Sequence, residues 1–350
     1  MQQLSLGASG LIVSEFCLGT MTWGNQTPQD DAHRQIDMAL DAGVNFLDAA
    51  EMYPVNPVSA ATMGRTEEVI GNWIAARGQR ERLVIATKVT GQGSVVIEGG
   101  APDITPARLR SALEGSLRRL QTEVIDLYQL HWPNRGSYHF RKSWTYAPPP
   151  ASARAAIRQN MLDVLLEAQK LVDEGKIRAF GLSNESAWGM AQWLALAEAN
   201  GLPRPASVQN EYSLLCRLFD TDMAELCSLE DVPLLAFSPL AAGLLTGKYA
   251  GDVIPEGSRR AVGAADLGGR VTPRVFDAVA AYLGLALEWQ LDPVQMAIAW
   301  CRARPAPVIP ILGATTSEQL AQALPAAGLR LDGELLEAID LLHRAHPKPY

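Results

Sequence analysis

Short apolar, β-prone runs alternate with longer amphipathic segments along almost the whole sequence. Because parallel sheets are built from strands joined by helices, this alternation predicts an α/β fold with a parallel sheet. The unit repeats about eight times, which favours a closed (β/α)8 TIM barrel over an open, doubly wound sheet. The first run is at 12–13 and continues to 16–18, and the others are at 44–47, 83–86, 124–128, 177–180, 206–208, 232–236 and 308–309.

Thr-Pro pairs supply start signals for three helices, because a threonine hydroxyl caps the first turn and proline suits the first helical position. The helix after Thr105 carries an apolar stripe at helical spacing, and Gly43 predicts the end of the helix that starts after Thr27. A final helix is expected after Asp332. The pairs are Thr27-Pro28, Thr105-Pro106 and Thr272-Pro273, and the stripe comprises Leu109, Leu113, Leu117 and Leu120.

No linker rich in Pro, Gly or Ser divides the chain, so we predict a single domain over residues 1–350. Three segments are predicted to be long loops: 91–100, 133–155 and 250–271. Long loops in a compact domain usually carry function. In a barrel we expect them on the top face, where the carboxyl ends of the strands open.

The net charge of −8 argues against a nucleic-acid-binding surface, because such a surface needs densely packed cations. A small anionic ligand needs only a few local cations and is not excluded. No window approaches the roughly 18 apolar residues of a membrane helix, and the first residues lack the pattern of a signal peptide. We therefore expect a cytoplasmic protein that binds neither nucleic acid nor membranes, and its oligomeric state stays open. Four scattered cysteines are interpreted as reduced thiols: Cys17, Cys216, Cys227 and Cys301.

Metal and Rossmann-type sites are not expected. The five histidines form no HxH or HExxH motif, and no G-x-G-x-x-G motif follows a predicted strand. The segment GLLTGKY at 243–249 resembles a P-loop, but it has three residues between its glycines and a tyrosine where a P-loop needs Ser or Thr. Lys248 can still meet a phosphate as a point charge.

Polar residues follow the predicted strands at the points where the strands end. Because all the strand carboxyl ends of a barrel open on one face, which carries the active site, we expect these side chains to converge there. They are Asp48, Lys88, His131, Ser183, Asn184, Gln209, Asn210, Ser238, Gly313 and Thr315.

Four of the residues at this face suggest acid chemistry. Tyr53 lies five positions after Asp48, and a tyrosine hydroxyl has an ordinary pKa of about 10. We predict that the Lys88 ammonium lowers this pKa, that Asp48 keeps Lys88 charged and oriented, and that His131 donates to a substrate oxygen. Together these side chains would protonate an oxygen that is acquiring negative charge.

Several motifs in a fixed order resemble those of the aldo-keto reductase superfamily, from LGTM at 18–21 to GAT at 313–315. Within that superfamily the sequence is similar to the bacterial Tas-type branch and to the potassium-channel β subunits. The other motifs are NFLDAAEMY at 45–53, TKV at 87–89, LHWP at 130–133, GLSN at 181–184, VQN at 208–210, FSPL at 237–240 and GLLTGKY at 243–249.

This resemblance implies a (β/α)8 barrel that reduces aldehydes or ketones with a nicotinamide cofactor, usually NADPH. It implies that Tyr53 is the general acid, that Lys88 tunes it with support from Asp48, and that His131 orients the carbonyl. Aromatic and catalytic side chains would line the substrate pocket: Trp23, Tyr53, His131 and Trp132. The implied cofactor contacts are Gly19, Thr20, Met21, Gln26, Asp48, Ser183, Asn184, Gln209, Phe237, Ser238, Leu240, Gly243, Lys248, Arg259, Gly313, Thr315 and Gln319.

The adenosine end of the implied cofactor site departs from the family pattern. Gln322 and Ala323 stand where a Glu and an Asn often contact adenine, and no Lys or Arg occurs from 305 to 329. NADH therefore stays possible beside NADPH. In the 133–155 loop, Trp144 and Tyr146 either wall the substrate pocket or pack the loop on the barrel rim. His139 and Arg141 are interpreted there as unpaired polar residues on the surface.

Two functions from different classes fit these observations. The first is an NADPH-dependent carbonyl reductase acting on a small-molecule carbonyl substrate. The second is a nicotinamide-cofactor-binding regulatory or redox-sensing protein with slow or vestigial carbonyl reduction, which the channel-subunit resemblance allows. The full set of acid residues favours the enzyme.

Overall fold

A two-stranded hairpin precedes a closed barrel of eight parallel strands in this computed structural model, which describes residues 1–94, 96–97, 100 and 102–350. The predicted (β/α)8 barrel is therefore confirmed. The hairpin comprises β1 (Gln3–Ser5) and β2 (Ile12–Ser14). In barrel order the other strands are β3 (Cys17–Gly19), β4 (Phe46–Asp48), β5 (Val84–Val89), β6 (Ile125–Leu130), β7 (Ile177–Ser183), β8 (Val208–Glu211), β9 (Leu234–Phe237) and β10 (Val308–Gly313).

Helices cover the outside of the barrel. They are α1 (Gln29–Asp41), α2 (Arg65–Arg77), α3 (Pro106–Leu120), α4 (Arg154–Asp173), α5 (Ala187–Asn200), α6 (Asp222–Leu229), α7 (Val275–Glu288), α8 (Pro293–Arg302), α9 (Ser317–Ala323) and α10 (Gly333–Ala345). The final helix predicted after Asp332 is confirmed as α10, and the Asp332 side chain caps it by accepting from the Leu335 amide. Within the described residues no helix is long and apolar enough to span a membrane.

The barrel closes where β10 pairs with β3, with Ile311 opposite Cys17 and Gly313 opposite Gly19. Each strand thus has two neighbours, and no strand edge of the barrel is open. The register also brings the segments after β3 and β10 side by side at the carboxyl end of the barrel.

The amino-terminal hairpin fills the opposite end. Leu6, Leu11 and Val13 are buried in one cluster with side chains from the barrel interior, among them Phe46 and Leu127. The first predicted run, at 12–13 and 16–18, is therefore two elements: 12–14 belongs to the hairpin, and only 17–19 enters the barrel. Apolar pattern alone could not separate them, because both segments bury side chains, such as Val13 and Cys17, in the same cluster.

Close packing joins α2 and α3 outside the barrel. Gly71 of α2 lies against the end of α3, where a Cβ atom would stand 2.2 Å from the backbone oxygen of Arg119. The apolar stripe predicted for α3 is confirmed, since Leu109, Leu113 and Leu120 are fully buried.

The Thr-Pro start signals succeed once and fail twice. The Thr105 hydroxyl caps α3 by accepting from the Arg108 amide. In contrast, α1 begins at Gln29 without a side-chain cap, and the Thr27 hydroxyl donates to the Thr315 carbonyl at 3.0 Å. Helix α7 begins at Val275, and the Thr272 hydroxyl donates to the Pro349 carbonyl at 2.6 Å. Both hydroxyls thus donate to carbonyls distant in sequence, and the Thr272 oxygen accepts from the Arg274 amide at 3.3 Å, before the first residue of α7.

The long loops predicted at 133–155 and 250–271 are irregular segments with short 3-10 turns, except that residues 154–155 already belong to α4. Of the predicted loop at 91–100, residues 95, 98 and 99 lie outside the described residues.

Candidate active site at the carboxyl end of the barrel

Three neighbouring strands bring the four predicted acid residues together. Asp48 is the last residue of β4, Lys88 lies near the end of β5, and His131 directly follows β6. Tyr53 lies in the loop that follows β4. Because parallel strands end at one face, residues spread over more than 80 positions meet there.

A buried ion pair forms the floor of the site. The Lys88 ammonium donates to Asp48 Oδ2 at 2.8 Å and to the Ala49 carbonyl at 2.7 Å. Burial by itself lowers the pKa of Lys88, but the Asp48 carboxylate outweighs it and holds that pKa above its ordinary value. Lys88 is therefore charged at neutral pH, as predicted from the sequence.

The second oxygen of Asp48 is held by amide groups. Gln209 Nε2 donates to Asp48 Oδ1 at 2.8 Å, and Gln129 Nε2 approaches the same oxygen at 3.3 Å. Gln129 was missed from the sequence. The alternation of side chains along β6 could have identified Gln129, because a period of two places it on the same inward face as Leu127. Gln209, predicted as a cofactor contact, is thus already hydrogen-bonded within the floor.

The Tyr53 ring lies over the Lys88 ammonium, with Nζ 4.9 Å from the ring centroid. Burial raises the pKa of the Tyr53 hydroxyl, while Lys88 opposes the shift and Asp48 adds to it. Lys88 therefore lowers this pKa as predicted, but the net pKa still lies above its ordinary value because burial outweighs the lysine. The sequence does not reveal how much water surrounds the hydroxyl, and that loss of water outweighs the lysine.

His131 packs edge-on against Tyr53, with 5.8 Å between ring centroids. Burial, and then the Lys88 charge, hold the pKa of His131 well below its ordinary value, so the imidazole is neutral at pH 7. Its Nδ1 atom is buried and has no hydrogen-bond partner among the described residues. A neutral imidazole beside a tyrosine hydroxyl can orient a polar oxygen without adding charge to the site.

Asn184 and Ser183, at the end of β7, form a second polar group beside His131. Asn184 Nδ2 donates to the His131 carbonyl at 2.9 Å and to Ser183 Oγ at 3.0 Å, and its backbone adopts a φ of 53°. The Ser183 hydroxyl donates to the Gln209 carbonyl at 2.8 Å. Asn184 Oδ1 is buried without a partner among the described residues, so it can accept from a ligand amide. This orphaned acceptor fits a nicotinamide carboxamide.

The segment 237–248, which begins at the end of β9 and is called the cationic cradle here, carries several of the predicted cofactor contacts. Phe237 is half-buried, and Ser238 has a φ of 55°. Gly243 has a φ of 95°, a backbone conformation that favours glycine, and a Cβ atom there would stand 2.8 Å from Lys248 Cε. Leu240 lies in the same turn, where its carbonyl accepts from the Gly243 amide at 2.9 Å.

Two cationic side chains in this region, Lys248 and Arg259, have no carboxylate partner among the described residues. Burial and the nearby Arg259 charge lower the pKa of Lys248, and burial and Arg270 lower the pKa of Arg259 to about 10. In the part of the chain that the structure describes, neither side chain forms an ion pair. Lys248 is exposed and Arg259 is half-buried, and two such cations that repel one another fit a ligand carrying negative charge, such as a pyrophosphate.

The cofactor contacts predicted in the loops after β3 and β10 lie together. Some of their polar groups are already hydrogen-bonded within the protein, and others are not. The Thr20 hydroxyl donates to the Asp48 carbonyl at 2.8 Å, and Thr315 donates from its amide and hydroxyl to Gln319 Oε1, both at 3.0 Å. Gln26 Oε1 is buried with no partner among the described residues, and Met21 is half-buried. Gly19 and Gly313 are paired in register, as noted above.

Of the tryptophans predicted to line the substrate pocket, Trp132 lies as predicted and Trp23 does not. The Trp132 ring lies 4.9 Å from His131 and 5.9 Å from Phe140, so it stands beside the acid residues as expected. Trp23 is 0% exposed and belongs to the core, so it does not wall an open pocket. Trp144 is 61% exposed and lies at the rim, with Lys348 Nζ 4.1 Å from its ring centroid.

His139 and Arg141 were interpreted as surface residues, and that interpretation is wrong. His139 is buried, with Nε2 3.2 Å from the Glu185 carbonyl oxygen, and Arg141 Nη1 donates to Glu211 at 2.8 Å. Earlier in the same loop, the Ser137 hydroxyl donates to the Asn184 carbonyl at 2.8 Å. The loop after β6 therefore holds the turn that carries Asn184. A one-dimensional sequence offers no signal for these contacts between loops.

A family model described as the Aldo/keto reductase family matches residues 15–344 of this chain. The chain is 42% identical to "Protein tas" of Escherichia coli K12 over 356 aligned positions, which cover 100% of this chain and 99% of that protein. These matches confirm the resemblance inferred from the motifs.

Two further relatives extend the comparison. The "Uncharacterized oxidoreductase YrpG" of Bacillus subtilis is 33% identical, with 97% of this chain and 95% of that protein aligned. The "Probable voltage-gated potassium channel subunit beta" of rice is 30% identical, with 99% of this chain and 98% of that protein aligned. Similarity thus extends over the whole length of differently named proteins.

Proposed function

This chain belongs to the aldo/keto reductase family of oxidoreductases, and we propose that it reduces aldehydes or ketones to alcohols with a nicotinamide cofactor. The observation that carries the proposal is the stack of Tyr53 over the buried Lys88–Asp48 pair, with neutral His131 beside it. This arrangement supports proton donation to an oxygen that gains negative charge.

Each of the four residues has a distinct part in the proposal. Tyr53, protonated at neutral pH because of its raised pKa, donates its proton to the carbonyl oxygen. The charged Lys88 stabilises the phenolate that remains, and Asp48 fixes Lys88 in place. His131 holds the carbonyl oxygen by a hydrogen bond. A bound reduced nicotinamide supplies the hydride.

The cofactor is proposed to be NADPH, with NADH as the alternative. Asn184 Oδ1 accepts from the carboxamide, and Lys248 and Arg259 meet the pyrophosphate. The resemblance favours NADPH, whereas the stretch 305–329 without Lys or Arg leaves the 2′-phosphate without its usual cation. Titration of each cofactor by quenching of protein fluorescence tests the preference: affinities within about twofold would contradict it.

Tyr53→Phe tests the proposed acid. Removing a general acid typically costs ~10²–10⁴-fold in rate, so we expect reduction of a panel of aldehydes to fall by that factor. NADPH affinity should change little, since no cofactor contact is removed. Tyr282→Phe, in α7 outside the barrel, is the matched control. Unimpaired reduction by Tyr53→Phe would show that Tyr53 is not the acid.

A binding protein without fast chemistry is the competing function, because the rice relative is named as a probable potassium-channel subunit. Single-turnover oxidation of bound NADPH by the aldehyde panel separates the two functions. Oxidation at a rate that depends on the aldehyde supports the reductase. Tight NADPH binding with no oxidation by any aldehyde would favour the regulatory protein.

A further inference from the structure

Glu211, the last residue of β8, is the centre of a buried charge cluster beside the proposed cofactor site. Arg270 Nε donates to Glu211 Oε1 at 2.8 Å, and Arg141 Nη1 donates to Oε2 at 2.8 Å. The Tyr350 hydroxyl donates to Oε1 at 3.1 Å. The carboxylate is only 4% exposed, so these three groups replace the water it would otherwise bind.

The cluster keeps its charges at neutral pH. Burial by itself raises the pKa of Glu211, but Arg270 and Arg141 outweigh it and hold that pKa below its ordinary value. Glu211 is therefore ionised and joins two cations that lie 129 positions apart in sequence. Loss of the carboxylate would leave two buried guanidinium groups facing each other.

These arginines belong to the two long loops of the top face. Arg141 lies in the 133–155 loop, and its Nε also donates to the Gly268 carbonyl of the 250–271 loop at 2.5 Å. Arg270 Nη1 donates to the Leu267 carbonyl at 2.8 Å, within its own loop. Glu211 and Arg141 together therefore fasten one loop to the other across the end of β8.

Both loops also contact segments of the proposed cofactor site. Arg270 Nη2 lies 3.3 Å from the Ser238 hydroxyl, in the cradle after β9. The 250–271 loop carries Arg259, and in the other loop Ser137 holds the Asn184 carbonyl. The segments proposed to hold the pyrophosphate and the carboxamide are thus linked through one carboxylate.

We propose that Glu211 is a positioning residue that fastens the two loops over the bound dinucleotide and thereby slows its release. This inference rests on the proposed function, because it requires a dinucleotide in the site. Glu211 acts through Arg141 and Arg270, and the reacting groups at Tyr53 do not depend on it. Loss of its charge should therefore change cofactor exchange and leave the chemical step intact.

A second buried carboxylate offers a matched control. Asp126, near the start of β6, joins Arg80 at 2.6 Å and Arg178 at 2.9 Å, and it is 3% exposed. Like Glu211 it is a buried carboxylate between two arginines, although its Arg178 side chain is 56% exposed, and it lies at the opposite end of the barrel. Asp126→Asn therefore measures the general cost of losing such a cluster.

The experiment compares Glu211→Gln with Asp126→Asn and the wild-type protein. Stopped-flow displacement measures the rate at which bound NADPH leaves, and single-turnover reduction of an aldehyde by the preformed complex measures the chemical step. We expect Glu211→Gln to release NADPH at least about tenfold faster, with the chemical step within about twofold of wild type. Asp126→Asn should change neither rate. Arg141→Met, which removes one of the two pairs, repeats the test if Glu211→Gln does not fold.

The outcomes separate this inference from the function on which it rests. Equal release rates in Glu211→Gln, Arg141→Met, Asp126→Asn and wild type would overturn the inference alone. A chemical step that slows as much as release accelerates would also overturn it, because Glu211 would then act on the reacting groups. Failure of the wild-type protein to bind either NADPH or NADH would overturn the proposed function, and this inference with it.

Discussion

At the scale of single residues, the site depends on charges that are buried and paired. Lys88 is 0% exposed and Asp48 4% exposed, so each charge has exchanged its water for the other. Two glutamine amides complete the Asp48 carboxylate. Removal of either charge leaves the other uncompensated in a medium of low polarity, which costs far more than the pair itself contributes.

Asp48→Asn should therefore destabilise the protein by ~3–5 kcal/mol and abolish carbonyl reduction, because Lys88 loses its counter-charge and its position. Urea denaturation measures the first effect. Glu230→Gln is the control, since Glu230 and Arg204 form an exposed pair at 2.7 Å whose loss should cost about 1 kcal/mol or less. Equal costs for the two variants would contradict the importance of burial.

The raised pKa of Tyr53 determines the pH dependence of the proposed reaction. The acid must carry its proton, and a pKa above the ordinary value keeps it protonated well beyond neutrality. His131, whose pKa is held well below 6.5, stays neutral over the same range. We expect the single-turnover rate of aldehyde reduction to be constant from pH 7 to about pH 9. A loss of rate centred below pH 9 would show that Lys88 outweighs burial.

Sequence reasoning could find the acid residues but not their surroundings. Asp48, Lys88 and His131 are visible because each one ends an apolar run, and barrel topology then brings them together. Glu211 also ends a run, but its meaning depends on Arg141 and Arg270, which come from irregular loops without periodicity. The direction of the Tyr53 pKa shift depends on solvent exposure, which no local pattern encodes.

At the scale of elements, strands were easier to predict than helix starts. Each apolar run from 44–47 onward corresponds to one barrel strand, since burial on both faces leaves a continuous apolar signature. A capping threonine is an equally local signal, but its hydroxyl can bond elsewhere. Thr27 and Thr272 did so, with carbonyls far along the chain. Tertiary partners are invisible to a local pattern.

Substitution of glycine by alanine is expected to have opposite effects on stability at two helix positions. Gly71→Ala should destabilise the protein by about 1–3 kcal/mol, because the new methyl group would stand 2.2 Å from the Arg119 carbonyl oxygen and force α2 away from α3. Gly284→Ala, inside α7, meets nothing within 4 Å and should stabilise the protein by ~0.4–1 kcal/mol.

Thermal or urea unfolding of both variants measures these changes. The Gly284 variant is the control, since it makes the same chemical change in a helix without the close contact. A Gly71→Ala protein as stable as wild type would show that α2 and α3 can separate without cost.

At the scale of the whole molecule, closure of the barrel joins the two ends of the fold. Strand β3 pairs with β10, so the unit begun near residue 17 is completed only near residue 313. The cations of the proposed cofactor site gather on the top face of this barrel, although the whole chain carries a charge of −8. Global charge therefore predicted the absence of a broad basic surface but could not describe a local one.

A chain cut after residue 303 should not form a stable barrel. It would lack β10, which leaves β3 and β9 with open edges, and it would lose the helices α9 and α10. We expect weak near-UV circular dichroism and no cooperative unfolding transition, in contrast to the full chain purified in the same way. A cooperative transition of the shortened chain would contradict a single domain over 1–350.

The amino-terminal hairpin has a consequence for synthesis on the ribosome. Leu6, Leu11 and Val13 are made first, yet the barrel interior that buries them is assembled from strands made later. The last of these strands emerges about 300 residues after the first, which takes ~15–60 s at ~5–20 residues per second. During that interval the nascent chain carries these apolar side chains with no barrel interior to bury them.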